Sequence, residues 1–188
     1  MSEFKAADFY QIDDLFTDEA RMARDSVREW VSAEFMPVIE EHNRAGTFPA
    51  DLIPGLGEMG VLGASLQGYD CAGMSPVAYG LILQELERGD SGLRSFVSVQ
   101  GSLCMYPIHA YGTEEQRQKY LPKMAAGELI GCFGLTEADF GSDPGGMITR
   151  AVDDGDSYVL NGSKYWITNG CIADVAIVWA KLDGDIRG

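Results

Sequence analysis

Residues Gly55–Gly60 read GLGEMG, which fits the dinucleotide-binding fingerprint G-x-G-x-x-G letter for letter. How this stretch is read decides the fold. A doubly wound α/β domain follows only if a strand runs into the glycines and a helix opens from them. The residues ahead of it, FPADLIP (48–54), carry two prolines and helical character, which leaves no room for a feeding strand. Glycine is also frequent, at 23 of 188 residues, so the pattern arises easily. The glycines are expected instead to end a short helix and to permit close packing before VLGASL (61–66).

Outward from this stretch, the first two thirds of the chain reads as helices. In TDEARMARDSVREWVSAEFMPVIEEH (17–42), Ala20, Ala23, Val27, Trp30 or Val31, and Phe35 recur at steps of three and four, one apolar stripe of an amphipathic helix. Thr17 suits the N-cap, Asp18 and Glu19 suit the positive end, and Pro37 ends or kinks the helix. A second helix is predicted from near Pro49 to Gly60. Ser75 and Pro76 form a cap and first helical position ahead of VAYGLILQELER (77–88). Another helix is predicted over 91–104, and Thr113 with Gln116 forms a capping box for EEQRQKYLPKMAAG (114–127), stopped by Gly127.

After Gly127 the period changes. LIGCFGL (129–135), MITRAVD (147–153), SYVLN (157–161), SKYWITN (163–169) and DVAIVWAKL (174–182) are short and rich in β-branched and aromatic residues. DDGD (153–156) and NG (161–162) are hairpin-turn signals. The expected class is α+β: an all-α helical domain over 1–130, then the start of an antiparallel β domain, part of which spans 131–188. No βαβ alternation and no internal repeat is present.

Composition narrows the function. The formal net charge of −15 argues against generic binding to nucleic acid or to anionic membranes. Four widely spaced cysteines (71, 104, 132, 171) and two histidines make no metal-ligand spacing, and buried reduced thiols are expected. No apolar run reaches transmembrane length, so membrane insertion is not expected. The leader MSEFKAADFYQIDD is too acidic for a signal or transit peptide, so a cytoplasmic protein, or a matrix protein whose presequence has been removed, is expected.

Two stretches can carry chemistry. CFGLTEADFGSDPGG (132–146) leads from a strand into Thr136 and Glu137, then a loop with Gly141, Ser142, Asp143 and further glycines. Such a loop exposes amides and a hydroxyl suited to a flat heterocycle or a phosphate; it also reads as a plain surface turn. In SKYWITNG (163–170), alternation along a strand would turn Trp166 and Thr168 to one face, roughly 6.5 Å apart, and Tyr165 and Ile167 to the other. An indole and a hydroxyl so placed can lie across one tricyclic ring; a sheet-packing Trp with a solvated Thr is the other reading.

Taken together, F-G-L-T-E-x-x-x-G-S-D (133–143) followed by Y-W-I-T-N (165–169) resembles the acyl-CoA dehydrogenase family, as do YGTEEQRQKYLPKMAAGE (111–128) and LNGSKYWITN (160–169). The likeness covers nearly the whole chain. It implies FAD lying against a barrel-like β domain, with Phe133, Leu135 and Thr136 lining the ring and Gly141 and Ser142 near the pyrophosphate, Ser142 also near the thioester. By the same likeness Trp166 stacks beside the isoalloxazine, Ile167 lies with it, and Thr168 bonds to the reactive nitrogen. EADF (137–140) stands where many relatives carry Glu-Pro-Asn-Ser, in positions that shape the loop.

LQELERGDSGLRSFVSVQGSLC (83–104) bears on the substrate. Arg94 lies among Leu93, Phe96, Val97 and Val99, where an unpaired charge would be costly to bury. Glu87, Arg94 and Ser98 fall within about 40° on one helix face if the helix continues past Gly89 and Gly92. A partly exposed Arg with its stem on apolar surface is the alternative. The segment is similar to glutaryl-CoA dehydrogenases, which implies that Arg94 clamps the far carboxylate of glutaryl-CoA, Ser95 and Ser98 add polar contacts, and Glu87 partners the Arg.

The same resemblance implies α,β-dehydrogenation with decarboxylation to crotonyl-CoA, electron transfer to an electron-transfer flavoprotein, and a homotetramer. In the family the general base is a Glu on a C-terminal helical domain that these 188 residues do not include. No catalytic residue is assigned here, and the chain alone is expected to be inactive. A dehydrogenase of another short or branched acyl-CoA, and a non-catalytic module that binds CoA esters or assembles with a partner, are the competing readings.

Overall fold

The computed structural model describes residues 9–188; residues 1–8 of the acidic leader lie outside them. Helix α1 (Asp18–Trp30) starts where the Thr17 hydroxyl accepts the Ala20 amide at 3.2 Å. Its stripe then continues through Val31–Phe35, where the bonding widens to π-type, with the Met36 amide reaching the Val31 carbonyl at 2.9 Å. The wider turn keeps Val31 and Phe35 buried with Ala20 and Val27, while Trp30 packs at the margin. Past Pro37 the chain resumes as α2 (Ile39–Ala45), closed by Gly46 at φ 67°.

GLGEMG ends the short helix α3 (Ile53–Glu58), with Gly60 at φ 66°. A Cβ on Gly57 would strike the Ala126 carbonyl, and one on Gly55 would touch the Trp30 indole at 3.0 Å. These glycines serve helix packing, as read from their context. A hairpin that the sequence reading lacked follows, β1 (Gln67–Gly68) against β2 (Cys71–Ala72), turned by Tyr69 and Asp70 at φ 54° and 61°.

Helix α4 (Pro76–Gly89) is capped by Ser75 and packs along α1, burying Ala78, Leu81, Ile82 and Leu86. Between these helices Glu85, 1% exposed, accepts from Arg28 and Arg88, each at 2.8 Å. Asp90 is extended (φ −167°, ψ 139°), which breaks the helix, and its carboxylate caps α5 (Ser91–Ser98) through the Gly92 and Leu93 amides. The single helix predicted over 91–104 is α5 continued by π-type turns over Val99–Met105 into α6 (Tyr106–Tyr111). Helix α7 (Glu114–Ala125) has both halves of its Thr113–Gln116 capping box, and Gly127 follows at φ 76°.

The β strands then appear: β3 (Gly131–Gly134), β4 (Arg150–Asp153), β5 (Tyr158–Asn161), β6 (Val175–Val178), β7 (Ala180–Leu182) and β8 (Asp185–Arg187). The α+β class holds, but the pairing corrects the purely antiparallel expectation. Strands β3 and β6 pair in parallel, Gly131 opposite Val175 and Gly134 opposite Val178. The second sheet has the order β5-β4-β7-β8, with β4–β5 and β7–β8 antiparallel and β4–β7 parallel. Gly155, at φ 81°, turns the β4–β5 hairpin as DDGD predicts. Strand β5 is a sheet edge, and Tyr158, Val159 and Leu160 along it are exposed.

Two further expectations are overturned. SKYWITN forms no strand, because Trp166 (φ 56°) and Asn169 (φ 65°) occupy left-handed backbone that a strand does not contain. The dipeptide Asn161-Gly162 turns no hairpin; Gly162 lies so close to Thr149 that a side chain would not fit. Among the described residues no helix is long and apolar enough to cross a membrane.

Candidate functional site

The residues 164–169 form an arch tied at both ends to β3 and the loop after it. At one end the Lys164 ammonium donates to the Leu135 carbonyl at 3.0 Å and to Glu137 Oε1 at 2.8 Å. Next to it the Tyr165 amide donates to the Thr136 carbonyl at 2.8 Å. At the other end Asn169 Nδ2 donates to the Gly131 carbonyl at 3.1 Å. The two sequence segments singled out as chemistry-bearing are therefore joined, by an arch where a strand was expected.

Glu137 anchors the loop. It is 4% exposed and also accepts the Ile148 amide at 2.7 Å and the Thr149 amide at 3.0 Å. Burial pushes its carboxyl up, but the Ile148 amide, the Lys164 ammonium and the Thr149 amide together outweigh that and hold it at about 2. A buried carboxylate so fully hydrogen-bonded keeps its charged form.

On the arch the Trp166 indole is 85% exposed, and its ring meets Tyr165 edge-on at 5.2 Å. Thr168 is exposed and Ile167 half-buried. The alternation that placed Trp166 and Thr168 on one strand face does not apply, yet the indole is open and not packed into the interior. Thr136 and Leu135 are half-buried at the foot of the arch, and Gly141 and Ser142 are exposed in the loop beyond. Phe133 goes elsewhere: it meets Trp179 at 6.1 Å and helps line a cavity of about 730 Å³ with Tyr106, Tyr120 and Ile186. An open indole, an open hydroxyl and free loop amides can hold a flat, polar-edged heterocycle.

The second predicted group lies on α4 and α5. Although Asp90 breaks the helix, Arg94 Nε donates to Glu87 Oε2 at 2.7 Å and its Nη1 to Ser98 Oγ at 3.4 Å. Arg94, Ser95 and Ser98 are half-buried, Leu93, Phe96 and Val97 are buried, and the Ser98 hydroxyl donates to the Ser95 carbonyl at 3.2 Å. The Ser91 hydroxyl and the Arg94 guanidinium hold the Glu87 carboxyl below the usual range. Arg94 is thus partly exposed with its charge partner in place, a cation that can meet a carboxylate.

Lys164 and Asn169 were missed in the sequence. Lys164 stands 27 residues from Glu137, a spacing that carries no periodic signal. The thiols follow their burial with one exception. Burial raises Cys104 to about 12, Cys71 to about 11, and Cys132 above its ordinary value, whereas Cys171 is exposed, contrary to expectation.

The acyl-CoA dehydrogenase N-terminal domain model matches residues 17–128 and the middle domain model residues 132–187. A glutaryl-CoA dehydrogenase from Mycobacterium smegmatis, solved in complex with FADH2, is 54% identical, with a TM-score of 0.93 over 95% of this chain and 46% of that one. A chain from a structure titled for the electron transferring flavoprotein of Acidaminococcus fermentans is 39% identical, with a TM-score of 0.85 over 94% of this chain and 46% of that one. The short-chain specific acyl-CoA dehydrogenase of Clostridium acetobutylicum is 39% identical over 89% of this chain and 44% of its own length. This chain spans about half the length of the relatives it matches. With both domain models matched in order along it, the chain belongs to the acyl-CoA dehydrogenase family.

Proposed function

We propose that this chain forms the helical domain (1–130) and part of the middle domain (131–188) of an FAD-dependent dehydrogenase acting on glutaryl-CoA. The family is FAD-dependent, and the M. smegmatis relative holds FADH2. The residues present fit such a group: Trp166 offers an open indole, Thr168 and Ser142 offer hydroxyls, and Gly141 offers an amide with no side chain in the way. Bound there, FAD would supply the two-electron acceptor that oxidation of the substrate's α,β bond requires.

The chain's own part is to bind and orient. Trp166, Ile167 and Thr168 on the arch, with Leu135 and Thr136 at its foot, would hold the flavin ring. Phe133 lies on β3 ahead of Leu135, with its ring edge-on to Trp179. Arg94 receives the distal carboxylate, for which its planar fork is suited. Glu87 and Ser98 hold the guanidinium in place meanwhile, and Ser95 borders it. The proton-abstracting base is assigned to none of the residues 1–188. Loss of carbon dioxide to give crotonyl-CoA, reoxidation by an electron-transferring flavoprotein, a homotetramer, and a cytoplasmic or matrix location belong to the same proposal.

The observation that carries the substrate reading is Arg94, a half-buried cation bordered by buried Leu93, Phe96 and Val97. A monocarboxylic chain would leave that cation without a partner on the ligand. The similarity to a short-chain specific relative favours a second reading, a substrate such as butyryl-CoA. Titration of the purified chain with FAD, followed in the visible flavin band, tests the cofactor. Calorimetry of glutaryl-CoA against butyryl-CoA then tests the substrate. Preference for glutaryl-CoA supports the proposal, and equal or weaker binding of it selects the second reading.

A further inference from the structure

The arch over 164–169 raises a question of support. Trp166 sits at φ 56°, left-handed backbone that is unfavourable for a residue with a Cβ. Its indole is 85% exposed, so packing of the ring against the interior does not hold it there. A strained conformation persists only where its surroundings over-determine it. Those surroundings are the two ends. Lys164 spends its ammonium on the Leu135 carbonyl and Glu137, and Glu137 is itself pinned by the Ile148 and Thr149 amides. Asn169, also in left-handed backbone, returns to the first carbonyl of β3 at Gly131. One end thus rests on β3 and the other on the loop that leaves it, where Glu137 is the fixed point.

We propose that Lys164 and Asn169 are positioning residues: with Glu137 as anchor, they hold Trp166, Ile167 and Thr168 as a preformed surface over Thr136 before the flavin arrives. This rests on the flavin reading above. Freed at either end, the arch relaxes out of left-handed backbone, and Trp166 and Thr168 lose their fixed place relative to Thr136. Binding must then supply the ordering that the clamp supplies in the intact chain.

The test uses the 188-residue chain with Trp30→Phe and Trp179→Phe, so that Trp166 alone reports. In this background Lys164→Met, Lys164→Arg and Asn169→Ala are compared by Trp166 anisotropy, FAD affinity and thermal midpoint. Lys164→Met and Asn169→Ala should each lower the anisotropy and weaken FAD about tenfold or more, with Lys164→Arg retaining most of both. Glu85→Gln, which disturbs a buried ion pair between α1 and α4, should lower the midpoint and leave anisotropy and FAD affinity in place. Unchanged anisotropy in folded Lys164→Met and Asn169→Ala overturns the proposal, as does an equal anisotropy change in Glu85→Gln. Should Lys164→Met fail to fold, Asn169→Ala decides alone. If the parent chain binds no FAD while its variants lose anisotropy, the clamp stands and the flavin reading falls.

Discussion

Gln100 joins the helical half of the chain to the first strand of the β region: its Oε1 accepts the Gly131 amide at 2.7 Å, and its Nε2 donates to the Met124 and Leu129 carbonyls at 3.0 and 2.8 Å. The side chain is fully buried, so water cannot replace these bonds. Gln100→Leu leaves three backbone groups to find new partners, each worth about 1–3 kcal/mol if left bare. With partial relaxation the loss should be roughly 2–4 kcal/mol in urea unfolding, and a loss below about 1 kcal/mol would show that the join is not maintained by this residue.

The Glu137 carboxyl gives the chain a defined acid response. Its folded value of about 2 lies below the unfolded value near 4.5, so its contribution is fully present above about pH 5. As pH falls from there, the unfolded chain takes the proton first, and the contribution is lost down to about pH 2. The stability gap between the parent chain and Glu137→Gln should therefore be constant near neutrality and close steadily below about pH 4.5, read from urea midpoints at each pH. A gap that widens on acidification contradicts the assignment.

Arg94→Ala separates the two substrate readings. Its ion pair with Glu87 is part-exposed, with 37% and 46% of the side chains accessible, so fold stability should change by less than about 1 kcal/mol. Binding of glutaryl-CoA to the flavin-loaded chain should weaken by about tenfold or more, the worth of a hydrogen-bonded charge. Butyryl-CoA should be little affected. Equal losses on both esters, measured by calorimetry, remove the carboxylate clamp.

Two glycine substitutions should differ in sign. Gly57 lies against the Ala126 carbonyl, so Gly57→Ala forces backbone apart and should destabilise by about 1–3 kcal/mol. Gly80 lies inside α4 with open space around it, so Gly80→Ala should stabilise by roughly 0.5–1 kcal/mol. Thermal midpoints of the two variants check both.

What the sequence made legible was mostly local. The caps at Thr17, Ser75 and Thr113 are written in the residues themselves, and each makes the bond its type implies. GLGEMG was readable because two prolines precede it. The arch was not: Tyr165, Trp166, Ile167 and Thr168 all favour strands, and tethers between residues far apart in the chain, from Lys164 to Leu135 and Glu137, Tyr165 to Thr136 and Asn169 to Gly131, hold them otherwise. The parallel pairing of β3 with β6 was equally hidden, since it joins residues 44 apart with no turn between them to announce it. Glu87 and Arg94 meet despite the break at Asp90, because long side chains bridge where the backbone does not continue.

Strand β5 has its own implication for how the protein behaves at high concentration. An edge bearing accessible Tyr158, Val159 and Leu160 offers a template to a strand from another copy. At neutral pH the surplus of carboxylates, a formal charge of −15 on each chain, opposes pairing at this edge. Mild acid removes that repulsion well before it reaches Glu137, so turbidity on acidification is expected to come from edge-to-edge stacking of folded molecules, ahead of any unfolding.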